Sequence, residues 1–289
     1  MKKELANFFR STLTILSPYL NTEVTYYVKN KKRINLKNPK SFSEKLLKLR
    51  LENYNNNKDV KRLADKYLVR GYIEKKGYPE ILNELLYVYD SPDDIEWEKL
   101  PNSFVIKLNC GSGYNIIVKD RNKMNFDNIK SKLKKWLKER PWLWYAEMQY
   151  KNVVPKIIVE KYLEMDSGSV IPDYKVYCFN NKAKAILYIG GRNTADISAG
   201  FFDRKWHYLG INKKKYNNLE NNLPSKPYNL EKMLNISEDL SKGFPFVRVD
   251  FYEVNNKLIF GEMTFTPAGG FDASEIKING KTMGEILEI

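Results

Sequence analysis

Two Asn-Asn pairs, Asn180-Asn181 and Asn255-Asn256, constrain this chain more than any other local feature. Each lies between two apolar runs, and asparagine tolerates the positive φ that a two-residue hairpin turn needs. Runs 174–179 and 183–189, and runs 246–254 and 257–265, are therefore expected to pair as antiparallel hairpins. A further strand is expected over 201–208, so the second half reads as mainly antiparallel sheet, with a helix over 230–240 that stops at Gly243 and a C-terminal helix over 282–289.

The first half reads differently. Residues up to about 35 show no clean period and are expected as an arm or short helices. Ser41 and Glu44 then stand at capping-box spacing ahead of Leu46, Leu47 and Leu49. A second helix is expected over 59–75, with Val60, Leu63, Ala64 and Tyr67 on one face. Beyond Gly77 the pattern becomes strands at 85–89, 104–108, 116–118 and 156–163, with a helix over 127–138. The fold class predicted is α+β, organised as 1–37, 38–100, 101–165 and 166–289.

Composition narrows the function. The 289 residues carry 43% hydrophobic side chains, enough for a sizeable core, and 49 Lys+Arg against 35 Asp+Glu, a net charge of +14. Two cysteines, Cys110 and Cys178, and no secretory pattern argue against a disulfide-built extracellular protein, so a cytoplasmic location is expected. The apolar stretch at 13–20 is broken by Thr14, Ser17 and Pro18 and falls short of the roughly 20 residues of a spanning helix. With His207 the only histidine, a His-rich metal site or a Ser-His-Asp triad is disfavoured. Oxygen ligands are expected for any metal.

Basic clusters stand at Lys29, Lys31, Lys32 and Arg33, at 130–140 ahead of Trp142 and Trp144, and at 213–215. They read either as solvated faces or as a landing surface for anionic lipid, nucleic acid or acidic polysaccharide. No zinc-finger or RNP signature accompanies them, which disfavours nucleic acid.

Three motifs carry chemistry. Phe244-Pro-Phe-Val-Arg248-Val-Asp250 and Gly261-Glu262-Met-Thr264 place Arg248 with Asp250, and Glu262 with Thr264, on common strand faces. Two carboxylates and a hydroxyl suit Mg²⁺, which commonly binds through one or two carboxylates plus substrate phosphates; the other reading is a cross-strand salt bridge. In Lys107-Leu-Asn109-Cys110-Gly111-Ser112-Gly113, a strand lysine and a small-residue turn could surround phosphates, although such a turn is usually an ordinary hairpin. Ile157-Ile-Val-Glu160-Lys161-Tyr162-Leu163 ends a strand where backbone groups could meet a flat heterocycle.

In this order, together with Asn38-Pro-Lys-Ser-Phe-Ser-Glu, Asp65-Lys66-Tyr-Leu-Val-Arg70 and Pro172-Asp173-Tyr-Lys175, the motifs resemble the ATP-grasp fold, and within it the TupA-like family, associated with teichuronopeptide and capsular polysaccharide biosynthesis. The resemblance implies two α+β lobes gripping ATP, over 101–165 and 166–289. It implies that Lys107 contacts the α/β phosphates, that Gly111, Ser112 and Gly113 form a flap, and that Lys66 faces the nucleotide. Glu160, Lys161, Tyr162 and Leu163 would form the adenine hinge. Asp173, Lys175 and Arg192 would lie at the γ-phosphate or acyl phosphate, Arg248 would stabilise the transferred phosphoryl group, and Asp250, Glu262 and Thr264 would form the Mg²⁺ site. Thr264 stands where many ATP-grasp ligases have Asn, and Cys110 where a His is expected; Cys110 reads as a packing residue.

The activity implied is an ATP- and Mg²⁺-dependent carboxylate-amine ligase with an acyl-phosphate intermediate. Its expected substrates are an acidic sugar or glycan and an amine or amino acid, with peripheral contact to an anionic membrane surface. The competing readings are a glycosyltransferase, for which no well-placed Asp-x-Asp is found, and a polyanion-binding protein, which leaves the Arg248/Asp250/Glu262 hairpin unexplained.

Overall fold

A computed structural model describes residues 2–210, 216, 219, 222–272 and 275–289. The basic run at 213–215 lies outside the described residues. Helix α1 (Lys2–Leu16) and helix α2 (Pro18–Asn30) open the chain, where an arm or short helices were expected. Ser17 caps α2 by accepting from the Leu20 N–H, and Pro18 fits its first turn. Helix α3 (Phe42–Leu49) begins with the expected capping box: Ser41 Oγ accepts from Glu44 N, and Glu44 reaches back to the Ser41 N–H.

The helix expected over 59–75 is two helices, α4 (Lys58–Leu63) and α5 (Leu68–Lys75). Asp65 breaks them. Its carboxylate accepts from the N–H groups of Tyr67 and Leu68, at the start of α5.

Strands β1 (Leu85–Tyr89), β2 (Phe104–Leu108), β3 (Asn115–Val118) and β4 (Ile157–Lys161) form an antiparallel sheet in the order β1-β4-β2-β3. Between β3 and β4 lie helix α6 (Phe126–Lys138) and the short α7 (Trp142–Tyr145). Leu133 of α6 packs with Phe104, Ile106, Ile157 and Val159, giving this lobe its own core.

The larger sheet contains β5 (Asp173–Phe179), β6 (Lys182–Gly190), β7 (Ser198–Phe202), β8 (Tyr208–Gly210), β9 (Phe246–Val254) and β10 (Lys257–Thr264), in the order β10-β9-β5-β6-β7-β8. All its pairings are antiparallel. The strand expected over 201–208 is interrupted because Asp203 accepts from the N–H groups of Lys205 and His207, turning the chain between β7 and β8. Helix α8 (Leu230–Leu240) covers one face through Met233, Leu234 and Leu240. The chain ends in β11 (Lys277–Ile278), β12 (Lys281–Thr282) and one turn of helix, α9 (Met283–Ile286), shorter than the 282–289 expected.

Both Asn-Asn pairs turn hairpins with positive φ, 47° and 63° at Asn180 and Asn181, and 49° and 61° at Asn255 and Asn256. That is the backbone of a type I′ turn. In the second hairpin the register shifts between Phe260 and Glu262, at Gly261. The shift sets Glu262 directly opposite Asp250 and Thr264 opposite Arg248. Because side chains alternate, an unshifted register would have turned Glu262 to the core face.

Candidate active site

The site is built on one face of the larger sheet. Asp173 and Lys175 come from β5, Arg248 and Asp250 from β9, and Glu262 and Thr264 from β10. In the register, Lys175 stands opposite Asp250, which stands opposite Glu262. These three neighbouring strands, with β10 at the edge of the sheet, thus present one row of charged side chains.

Arg248 grips Asp250 through two bonds, Nε to Oδ1 at 2.6 Å and Nη2 to Oδ2 at 2.7 Å. Its Nη2 also reaches Glu262 Oε1 at 3.2 Å and Thr264 Oγ1 at 3.1 Å. Lys175 donates to Asp250 and lies 3.4 Å from Asp173 Oδ1. Arg192, in the turn after β6, donates from Nε to Asp173 Oδ2 at 2.6 Å. Asp173, Lys175 and Asp250 are buried, while Arg192 is 44% exposed at the rim. Burial works against the charge of Arg248, but Asp250 outweighs it and holds the guanidinium above its ordinary pKa.

Glu262 is the accessible carboxylate, with about a third of its side chain exposed at 34%. Burial pushes its carboxyl upward, yet Lys66, Arg248, Lys175 and the Thr264 hydroxyl prevail and hold it down to about 2. Lys66 joins the two lobes. Its Nζ lies 3.5 Å from Glu262 Oε2 and donates to the Gly111 carbonyl at 2.8 Å.

In the smaller sheet, Lys107 on β2 donates to Glu160 Oε2 at 2.6 Å across to β4. Gly111 and Gly113, with φ of 80° and 83°, shape the turn between β2 and β3, and Ser112 and Gly113 are exposed at its tip. A Cβ on Gly111 would stand 2.8 Å from the Tyr114 ring, so glycine is required there.

The sequence-predicted residues are not all gathered equally. Lys66, Lys175, Arg192, Arg248, Asp173, Asp250, Glu262 and Thr264 form one connected network, and Lys107 with Glu160 forms a second. The side chain of Lys161 points away, 62% exposed and 3.4 Å from Glu84. Its N–H donates to the Glu84 carbonyl, and its own carbonyl accepts from Asn83. Tyr162 and Leu163 continue beyond the end of β4.

The roles of several supporting residues were not foreseen. Arg70 stands 3.7 Å from Glu160 Oε1, and Asn83 donates to Glu160 Oε2 at 3.4 Å. Asp65 accepts from Asn109 Nδ2 at 2.7 Å, while Lys66 N donates to Asn109 O at 2.8 Å. That pair fixes Lys66 against the end of β2. Cys110 is a free thiol whose pKa is pushed up by burial, which suits packing rather than nucleophilic attack.

Chemically, the larger network sets the cations Lys66, Lys175, Arg192 and Arg248 against the carboxylates Asp173, Asp250 and Glu262. The cations outnumber the acids by one, which suits a phosphate-bearing ligand. Among the described residues, no group of three or more His, Cys, Asp or Glu could hold a metal ion. The facing pair Asp250 and Glu262 offers the hard carboxylate oxygens that Mg²⁺ takes, with both Asp250 oxygens bonded in this structure to Arg248 and Lys175.

A family model described as TupA-like ATPgrasp matches residues 44–288. A comparison with curated proteins found no match. Among solved structures, the chain is similar to a D-alanine–D-alanine ligase from Bacillus anthracis complexed with ATP, at 16% identity and a TM-score of 0.40, covering 71% of this chain and 54% of that one. It is also similar to a phosphoribosylamine–glycine ligase from Thermotoga maritima, at 12% identity and a TM-score of 0.44, over 77% and 55% of the two chains. A third similarity is to the ATP-grasp ligase PsnB with its minimal precursor, at 11% identity and a TM-score of 0.42, over 82% and 65%. The chain thus spans about half the length of the first of these ligases. On the extent of the family match, the chain belongs to the TupA-like ATP-grasp family.

Proposed function

We propose that this chain is an ATP-dependent carboxylate-amine ligase. The observation that carries the reading is the row Lys175, Asp250, Glu262 with Arg248 beside it, linked through Lys66 to the glycine turn of the other lobe. A carboxylate oxygen of the first substrate attacks the γ-phosphorus of ATP, the bond to the β-phosphate oxygen breaks, and ADP leaves. The amine then attacks the acyl carbon of the resulting acyl phosphate. A C–N bond forms, inorganic phosphate departs and the amine loses a proton.

Phosphoryl transfer asks the protein chiefly for positioning and charge neutralisation. In this reading Lys107 holds the α/β phosphates, with Gly111, Ser112 and Gly113 closing over them. The segment from Glu160 to Leu163 borders the adenine. Arg248, Lys175 and Arg192 face the transferred phosphoryl group, and Asp173 orients the last two. Asp250 and Glu262, with Thr264 adjoining, would hold Mg²⁺, which neutralises phosphate charge when bound.

For substrates, we propose a uronic-acid carboxylate on a sugar or glycan and an amino acid or other amine, in surface-polysaccharide biosynthesis. The net charge of +14 supports an acidic acceptor, and the family's association with such polysaccharides points the same way.

The test is incubation with Mg-ATP, a panel of uronic acids and a panel of amino acids, measuring ADP and hydroxylamine-trapped acyl phosphate. Both products should appear and should depend on the uronic acid. UDP release from a nucleotide sugar without ATP consumption would instead mark a glycosyltransferase. Asp250→Asn and Glu262→Gln should each lower turnover by about 100-fold or more with the circular-dichroism spectrum unchanged. Turnover close to that of the unmutated protein would mean that the hairpin is structural.

A further inference from the structure

The N-terminal helical pair lies outside the matched family region and is oriented unusually. At about 100° per residue, Leu5, Phe8, Phe9, Ile15 and Leu16 fall on one face of α1. That face points to solvent: their exposures are 70, 72, 56, 73 and 71%. The opposite face, which docks on the protein, is held largely by polar groups. Thr14 Oγ1 donates to the Leu143 carbonyl on α7 at 2.6 Å, Asn21 of α2 donates to the Arg10 carbonyl at 2.7 Å, and Arg10 reaches the Tyr145 hydroxyl at 3.4 Å. An amphipathic helix on a globular surface normally buries its apolar stripe. Here the stripe is turned outward, and an exposed apolar surface of this kind marks an interaction site.

The charge carried by the same helical pair indicates what covers the stripe. Arg10 of α1 and Lys29 near the end of α2 both lie over the Tyr145 ring, at 5.2 and 4.6 Å. The run Lys31, Lys32, Arg33 directly follows α2, which packs against α1. All three side chains are exposed, and none makes an ion pair among the described residues. Tyr27 and Val28, 56 and 52% exposed, add apolar surface on α2 shortly before this run.

We infer that α1, α2 and the 31–33 run form a docking surface for an anionic lipid bilayer, with α1 lying flat in the headgroup region. Apolar side chains flanked by lysine and arginine suit that interface. A second copy of the chain fits less well, because a two-fold contact sets this patch, net positive over residues 2–33, against its own copy. Helix α1 is about 22 Å long at 1.5 Å per residue, and no helix among the described residues is long and apolar enough to cross a membrane. The contact is therefore peripheral. It goes beyond the ligase reading and does not depend on it.

The test is flotation of the full chain with vesicles of phosphatidylcholine alone or mixed equally with phosphatidylglycerol, at low and raised salt, with light scattering of the same preparation without vesicles. The unmutated chain should float with the anionic vesicles, bind neutral ones at least about tenfold more weakly, and release as salt screens the charges. Two variants, Phe8→Ser with Leu16→Ser, and Lys31→Glu with Lys32→Glu and Arg33→Glu, should each lose at least about tenfold in anionic-vesicle binding. Both change exposed side chains, and circular dichroism matching the unmutated chain reports that the fold is kept. Failure to float with anionic vesicles, or equal flotation of both variants, would overturn the inference. So would a dimer that dissociates on Phe8→Ser with Leu16→Ser, which would make the stripe a contact between copies.

Discussion

Glu262 shows how the site is tuned residue by residue. Its ordinary pKa of 4.5 falls to about 2 because Lys66, Arg248 and Lys175 together outweigh its burial. In the unfolded chain that carboxyl protonates first as pH falls, so its contribution to stability is whole above about 4.5 and disappears as pH drops toward 2. With about a third of the side chain exposed, solvent screens part of that contribution. Urea unfolding followed against pH should therefore show a shallower acid limb for Glu262→Gln between about 4.5 and 2, and a limb parallel to that of the unmutated chain would contradict the assignment. Most residues of this network were legible as motifs, since alternation along a strand fixes which side chains share a face. Arg70 and Asn109 stand inside such motifs and Asn83 does not, but the role of none of the three was legible, because each acts across the fold on a partner whose position no local spacing reveals. Asp65 left a trace, a carboxylate inside an apolar helical pattern, and it proved to be a helix start.

At the scale of elements, the strongest signals were turns and caps. The capping box at Ser41 and Glu44 and both Asn-Asn hairpins formed as their local chemistry requires. Asn256 has φ of 61°, a conformation that costs a β-branched residue about 1–2 kcal/mol. Asn256→Val should lower unfolding stability by about that amount and Asn256→Gly by a few tenths at most, as read from denaturant midpoints. Equal losses would mean that the turn conformation is not what matters. The shift at Gly261 left a sequence trace as well. Buried Leu258 and Phe260 occupy even positions, whereas buried Met263 and Phe265 occupy odd ones. That change of parity is what a bulge produces, and it brings Glu262 onto the face of Asp250. The break between β7 and β8 was hidden because it rests on one carboxylate, Asp203, bonding to backbone two and four residues ahead.

Across the whole molecule, the sequence reading was weakest where the usual orientation of apolar residues fails. In the first 30 residues α2 has no clean apolar period because it buries Asn21, Thr22 and Thr25, whereas the apolar stripe of α1 does recur at helical spacing and went unread. The central arrangement is the link between lobes: Lys66 spans from Glu262 on the larger sheet to Gly111 in the turn of the smaller one, with Lys107 and Glu160 on the same smaller sheet. If this is a nucleotide grip, the most direct measurement is calorimetric titration of ATP into the purified chain, with and without Mg²⁺, for the unmutated protein, Lys107→Met and Asp250→Asn. The account predicts ATP binding that strengthens with Mg²⁺, weakens at least about tenfold in Lys107→Met, a loss of about 1.4 kcal/mol, and loses its response to Mg²⁺ in Asp250→Asn. No ATP binding, or the same affinity in all three proteins with or without Mg²⁺, would contradict it.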